Sequence, residues 1–422
     1  MKKILLSLGA ICVLLIALIV MLTALLTPAN APAPEQTVQT TAETTVETTA
    51  ETTAPTEETQ PVRTDLAAHH GDIQAAIEAA AKKYGATGVQ VAVVERGKVA
   101  DTFAYGWATK NTDPMTPDHK MRVASISKVA VGISAMLLQE TGVVDLDQDI
   151  SQYWGITVKN PAYPKVPITL RTFMTHTSTL SAYSDETPTT PDAIRPKLAG
   201  TGFHGSRPGA VESWFYNNYA FRVLGVTLER AAGMTLDQLL QKRLFQHMDI
   251  DGAFGGGDIK NTHKLATVYR ANGDVGLSVS AQQGRHAPKT PGANGTYFAG
   301  GLTISATDLG KLVALLANRG VYNGKRLMGY QSVQEMFVKM DDPLPDGSYQ
   351  ALPMFFADDL YGQEQLYFHT GSAYGVYNCM SLDPSTGSGV VVLTSGAVGS
   401  TARYDIYNIC NEINAYIYAL IP

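Results

Sequence analysis

From Ser125 to Gln139 the chain reads SISKVAVGISAMLLQ, fifteen residues that carry one charged side chain, Lys128. A helix with so little polar surface must be covered by protein on almost every side. The chain has 422 residues, enough for a substantial core and two subdomains, and its 45% hydrophobic and 17% charged content is that of an ordinary globular protein. Two readings of Lys128 follow. It lies along a core helix with its ammonium in water, or it is a base held next to Ser125, three positions earlier.

Secondary structure is legible at both ends of the sequence and between them. IQAAIEAAAKKYG (73–85) is expected to be a helix ending at Gly85, with Lys82 and Lys83 in its last turn. GVQVAVVERGKVADTFAYG (88–106) reads as two strands around a turn at Arg96-Gly97. Helical patterns fill the middle to about 310, as in 220–233 and 235–248. Residues 375–396 return to strands, and a final helix is expected from about Thr401 to Ala419. Strands at both ends with helices inserted between them predict an α/β chain of the α+β type, one sheet built from the termini with a helical subdomain beside it.

The N-terminal residues stand apart. Ile4–Leu26 is uncharged and largely apolar behind Lys2 and Lys3, long enough to span a bilayer core, so residues 1–26 are expected to be a transmembrane anchor in preference to a cleaved signal peptide. The lysines would then stay cytoplasmic and the rest of the chain face outward. Residues 27–65 hold a near-repeat of Glu-Thr-Thr with interspersed Pro, which cannot bury enough apolar surface to fold and reads as a disordered stalk. The folded domain is assigned to 66–422. Of the formal charge of −6, Lys2 and Lys3 and the six Glu of 32–62 lie outside that domain, which leaves −2. So neutral a domain gives no support to nucleic-acid binding. Outside the cell Cys379 and Cys410 could be bridged or could be small buried hydrophobes. No Cys/His grouping has metal-ligand spacing, no cofactor is indicated, and His69-His70 reads as exposed filler.

Three short motifs carry chemistry. Ser125-x-x-Lys128 places hydroxyl and amine on one helix face, and the apolar neighbours supply the burial that lowers a lysine pKa. Tyr216-Asn217-Asn218 offers a phenol that could relay a proton, more readily lost near an ammonium, and an amide that could hold a substrate and Lys128 together. The alternative is a polar strip with Asn218 as a helix cap. His369-Thr370-Gly371-Ser372 puts a glycine where a substrate backbone can lie close to a strand, with the backbone N–H groups of Ser372 and Ser125 available to an oxyanion. Each motif alone has an ordinary structural explanation; together and in this order they do not.

The chain resembles the penicillin-recognising serine hydrolases, in the branch of class C β-lactamases, serine DD-carboxypeptidases and related esterases and D-aminopeptidases. The resemblance runs from about residue 73 to the end and includes TLRTFMTHTSTL (169–180), AGGLTISATDLGKLVALLANRG (299–320) and GVVDLDQDISQYW (142–154). It implies an antiparallel sheet flanked by helices, with an all-helical subdomain inserted at roughly 125–300 and the site between them. It also implies that Ser125 is acylated, that Lys128 and Tyr216 handle its proton, and that Asn218, His369, Thr370 and Gly371 position the substrate. The expected substrates are D-Ala-D-Ala-type peptides, with β-lactams, other esters or amides, or a slow penicillin sensor as alternatives.

Two departures bear on substrate. His369 stands where β-lactamases of this type carry lysine, as in some DD-carboxypeptidases, and a histidine would make anion binding depend on pH near neutrality. Residues 340–368 contain Asp341, Asp342, Asp346, Asp358, Asp359 and Glu364 but no Lys or Arg. The usual arginine partner for a substrate carboxylate is therefore missing there, and weak carboxylate selectivity is expected.

Overall fold

The computed structural model describes residues 66–421; the expected anchor and stalk fall outside them. Among the described residues no helix is long and apolar enough to cross a membrane. The main elements in chain order are helix α1 (His70–Lys83), strands β1 (Gly88–Glu95), β2 (Lys98–Thr109) and β3 (Asp113–Pro114), and helices α2 (Ser127–Glu140), α3 (Leu170–Met174), α4 (Asn218–Ala232) and α5 (Ala306–Ala317). They are followed by strands β4 (Tyr349–Gln350), β5 (Phe355–Ala357), β6 (Leu366–Ala373), β7 (Val376–Asp383) and β8 (Ser388–Ser395), and by helix α6 (Asn408–Tyr418).

The eight strands form one antiparallel sheet in the order β4-β5-β6-β7-β8-β1-β2-β3. The ends of the domain meet in its middle, where β1 pairs with β8 from Gly88↔Ser395 to Val94↔Gly389. Strand periodicity divides the apolar residues between two faces. Val89, Val91, Val93, Val390 and Val392 pack with Ile73 and Ile77 of α1 and Ile409 and Ile413 of α6. Ala92, Val94, Val391 and Leu393 turn the other way, towards Leu309, Leu312 and Val313 of α5. Helices on both faces explain why these strands are nearly continuous apolar runs.

Helix α2 is enclosed on all sides: every residue from Ser127 to Leu138 is buried, and α4 packs against it. Lys128 is 0% exposed. The reading of a lysine with its head in water is thereby excluded.

Other expectations shift. Helix α1 begins at His70, whose Nδ1 lies 2.6 Å from Asp101 Oδ2 and whose ring stacks on Phe103, so His70 is exposed but engaged. The C-terminal helix does not start near Thr401. Tyr404 and Asp405 adopt left-handed backbone at φ 62° and 53°, which stops a helix from running through them, so a 3-10 turn at Arg403–Asp405 precedes α6. Cys379 and Cys410 are buried and unbridged.

Candidate active site

Ser125 does not lie within the α-helix proper but on a 3-10 turn, Ala124–Ile126, that feeds into α2. Ala124 is held at φ +52°, a left-handed conformation that a non-glycine residue adopts only where its surroundings impose it. Ser127 does so from below. Its hydroxyl donates to Ala124 O at 2.6 Å and accepts from Leu302 N at 2.9 Å. Ile126 and Ser127 are already helical in φ and ψ, so Ser125 keeps the expected face and its Oγ lies 3.1 Å from Lys128 Nζ.

The surroundings of Lys128 define its chemistry. Nζ lies 2.8 Å from Asn218 Oδ1 and 2.8 Å from the carbonyl oxygen of Ala299. Burial holds the amine well below the usual lysine range; the charges of Arg222 and Arg122 act in the same direction and Asp185 opposes them. A neutral amine has two N–H donors and one lone pair. The two oxygens are acceptors only, so they take both hydrogens, and the lone pair is left for the Ser125 O–H.

Tyr216 covers this pair. Its hydroxyl hydrogen-bonds Ser125, and its ring centroid lies 4.7 Å from Lys128 Nζ. Burial raises the Tyr216 pKa above that of a free phenol, with only the Ser125 hydrogen bond acting against it. The shift runs against the expectation of a readily ionised tyrosine and favours the protonated phenol. His176, in the TLRTFMTHTSTL stretch but unassigned as a site residue from sequence, supports the tyrosine from behind. Its ring centroid is 4.4 Å from that of Tyr216, and its Nδ1 accepts from Asn217 N at 3.0 Å. Burial holds its pKa well below the ordinary histidine value. Asn217, not Asn218, caps α4, accepting from Ala220 N at 3.1 Å. Asn218 is freed for Lys128.

Strand β6 closes the opposite wall. Its pairing with β5 ends at Phe355↔Phe368, so the edge beyond His369 is open on that side. There Gly371 abuts the nucleophile turn: a Cβ on it would lie 2.3 Å from Val123 O and 3.3 Å from Ser125 N. Only glycine permits this approach, which draws the backbone of β6 to the N–H of Ser125. His369 is 1% exposed, and its Nδ1–H donates to Thr370 O at 2.7 Å. Burial and the neighbouring Lys128 push its pKa down to about 3, so it is uncharged at neutral pH. The expected pH-dependent anion contact at His369 is corrected accordingly.

Ser125, Tyr216, Asn218, Thr370 and Ser372 line one cavity of about 590 Å³, a size suited to a small organic ligand. Lys128, His369 and Gly371 stand behind this wall. Sequence reasoning did not anticipate Trp214, Phe355, Tyr404 and Tyr407, four aromatics that line the rest with Asp346 and Asp405. Tyr407 hydrogen-bonds Ser372. Among the described residues no Lys or Arg lines the cavity, and no group of three or more His, Cys, Asp or Glu is placed to hold a metal.

Known proteins resemble this chain in sequence and in fold. Penicillin-binding protein 4* of Bacillus subtilis (strain 168) is 24% identical over 184 residues, 41% of this chain and 39% of its own length. D-alanyl-D-alanine-carboxypeptidase/endopeptidase AmpH of Escherichia coli (strain K12) is 27% identical over 168 residues, 38% of this chain and 43% of its own. The chain thus spans less than half the length of these two curated relatives. Among solved structures, a beta-lactamase/D-alanine carboxypeptidase from Pseudomonas syringae has a TM-score of 0.63 at 18% identity, covering 84% of this chain and 98% of that one. A D-amino acid amidase from Ochrobactrum anthropi SV3 has a TM-score of 0.61 at 22% identity, covering 83% and 98%. These two share the fold. A protein-family model described as beta-lactamase matches residues 73–410, most of the chain, and the chain belongs to that family.

Proposed function

We propose that this serine hydrolase forms and hydrolyses an acyl-enzyme at Ser125, acting on small amides or esters, with D-Ala-D-Ala-type cell-wall peptides among the candidates. Ser125 Oγ attacks the carbonyl carbon and its proton passes to the Lys128 amine. Backbone N–H groups of Ser125 and Ser372 receive the oxyanion. As the bond to the leaving group breaks, Tyr216 donates its proton to that group and recovers one from Lys128. Water then attacks the acyl ester, gives a proton to the same pair, and Ser125 leaves with its hydrogen restored. The net reaction is substrate plus water to acid plus amine or alcohol.

The observation that carries this reading is the enclosed Lys128, whose two acceptor-only neighbours leave its lone pair for Ser125. The test is intact-protein mass after exposure to a fluorescent penicillin and, separately, to an aryl ester, with Ser125→Ala alongside. An adduct on the native chain alone assigns the nucleophile; loss of penicillin without a lasting adduct favours a β-lactamase. Reaction with the ester but not with penicillin favours an esterase or amidase. No adduct and no turnover with either reagent would overturn the proposal.

We further propose that residues 1–26 anchor the enzyme and residues 27–65 hold it outside the membrane, a reading supported by Lys2 and Lys3, the apolar run after them and the Glu-Thr-Thr segment.

A further inference from the structure

Two basic side chains are bound to consecutive carbonyls. Lys128 Nζ donates to Ala299 O at 2.8 Å, and the Nε–H of Arg122 donates to the next carbonyl, Gly300 O. Both carbonyls belong to one tight turn, in which Gly300 N and Gly301 N donate to Tyr297 O at 3.2 and 2.6 Å. Arg122 reaches that turn because the short strand Met121–Arg122 pairs with Thr303–Ile304, and Val123 N donates to Leu302 O at 2.9 Å. The same strand leads straight to the nucleophile. A Cβ on Gly300 would lie 3.4 Å from Arg122 Nη2 and 3.5 Å from the carbonyl carbon of Ala124.

Among the described residues neither Lys128 nor Arg122 forms an ion pair with a carboxylate. Arg222, which also acts on Lys128, differs: Asp185 Oδ1 lies 2.7 Å from its Nη2 and offsets its charge. On its far side Arg122 meets the Tyr374 ring, with its guanidinium carbon 5.0 Å from the centroid; that of Arg285 is 5.3 Å from the same centroid. The Tyr374 phenol is lowered, first by a hydrogen bond from Arg285, from an ordinary value of about 10. The titratable neighbours of Lys128 are shifted towards their uncharged forms, His176 and His369 downwards and Tyr216 upwards, each mainly by burial. An arginine cannot give up its proton near neutral pH, whereas a lysine can. Where two like charges are held close without a counter-charge, the group able to discharge does so.

We infer that Arg122 is a positioning residue for the reaction: its guanidinium fixes the Ala299–Gly300 turn that receives Lys128, and its unpaired charge, held on the next carbonyl, favours the uncharged amine. Arg122 touches neither Ser125 nor substrate in this role; it acts through the turn and through its field. The inference rests on the reading of Lys128 as the base of Ser125 and adds to it the group that keeps that base ready.

The test is the pH dependence of kcat/KM of the full-length protein for 4-nitrophenyl acetate between about pH 4 and 9, taken above the rate of Ser125→Ala. Arg122→Gln removes the charge and keeps an N–H donor for Gly300 O. Its rising step should lie about one unit or more above the native one, so that turnover below the step falls about tenfold or more. Arg122→Lys keeps the charge and should stay within about half a unit of the native step. Arg285→Gln removes a charge on the other side of the Tyr374 ring and should stay within the same limit. The position of a step is independent of how much of each variant is folded, so a loss of stability alone does not move it. An Arg122→Gln profile that superimposes on the native one, or an equal displacement in Arg122→Lys or Arg285→Gln, would overturn the inference while leaving Ser125 as the nucleophile. No Ser125-dependent turnover of the ester and no adduct with fluorescent penicillin would remove the hydrolase reading as well.

Discussion

Lys128 Nζ stands 3.1 Å from Ser125 Oγ with no water-exposed surface of its own, and its other two contacts are both oxygen acceptors. Burial favours the uncharged amine, and acylation should rise with pH through a pKa well below that of an ordinary lysine. Lys128→Arg, which cannot be deprotonated, should lose on the order of 10³-fold or more in the rate of Ser125 acylation. A pH–rate profile and a mass-spectrometric acylation rate check both statements.

The same burial has a consequence for stability. The folded lysine gives up its proton at a lower pH than the unfolded one, so between those two pKa values the unfolded chain binds more protons. Stability contributed at this position is thus gained as pH rises towards the ordinary lysine value and lost as it falls. Denaturation of the native chain and of Lys128→Met across neutral to alkaline pH should show the difference moving in favour of the native chain as pH rises.

His369 gives a second pH signature, at lower pH. Its pKa, about 3 in the folded chain, lies below the unfolded value, so the stability associated with it is present above about pH 6.5 and is lost as pH falls towards the folded value. The slope should be about 1.4 kcal/mol per pH unit in that window. His369→Gln should flatten this part of the stability curve and leave the activity profile between about pH 6 and 8 without a histidine step. A histidine-dependent step in that range would show that the ring is charged in the working enzyme.

Much of this site was legible in the sequence because its parts are local. Ser125 and Lys128 are three apart, and the glycine of His-Thr-Gly is informative wherever a strand must touch another chain segment. The hairpin at Arg96-Gly97 and the helix through Lys128 follow from periodicity alone. The rest depended on long-range packing. Nothing in the pattern 401–419 shows that Tyr404 and Asp405 turn left-handed, yet that turn brings Tyr404, Asp405 and Tyr407 to the cavity. His176 reaches Tyr216 across forty residues. The pKa shifts of Tyr216 and His369 are hidden from the sequence for a related reason: residue type gives the pKa in water, and here burial dominates it.

Tyr216 should act as a phenol. Replacement by Phe removes the hydroxyl on Ser125 and leaves the ring that packs on His176, so the fold should persist while acylation falls by about 10²–10³-fold. Titration of tyrosine absorbance in the native chain and in Tyr216→Phe should show no Tyr216 phenolate up to the ordinary phenol pKa. Ionisation of Tyr216 near neutral pH would reverse its role from acid to base.

Gly371 tests whether β6 must touch the nucleophile turn. In Gly371→Ala the new methyl meets Val123 O at 2.3 Å, a backbone atom with no flexible end to move aside, so the strand or the turn must shift. Overpacking of this kind costs about 1–3 kcal/mol, a loss that a domain with two well-formed core clusters can absorb. The chemistry should suffer more, because the displaced partner is the strand proposed to bring Ser372 N–H to the oxyanion. Loss of one such donor costs about 10²–10³-fold in rate. Thermal denaturation and acylation rate measured on the same preparation separate the two effects. A variant that is destabilised but acylates at the native rate would show that β6 does not form the second half of the oxyanion site.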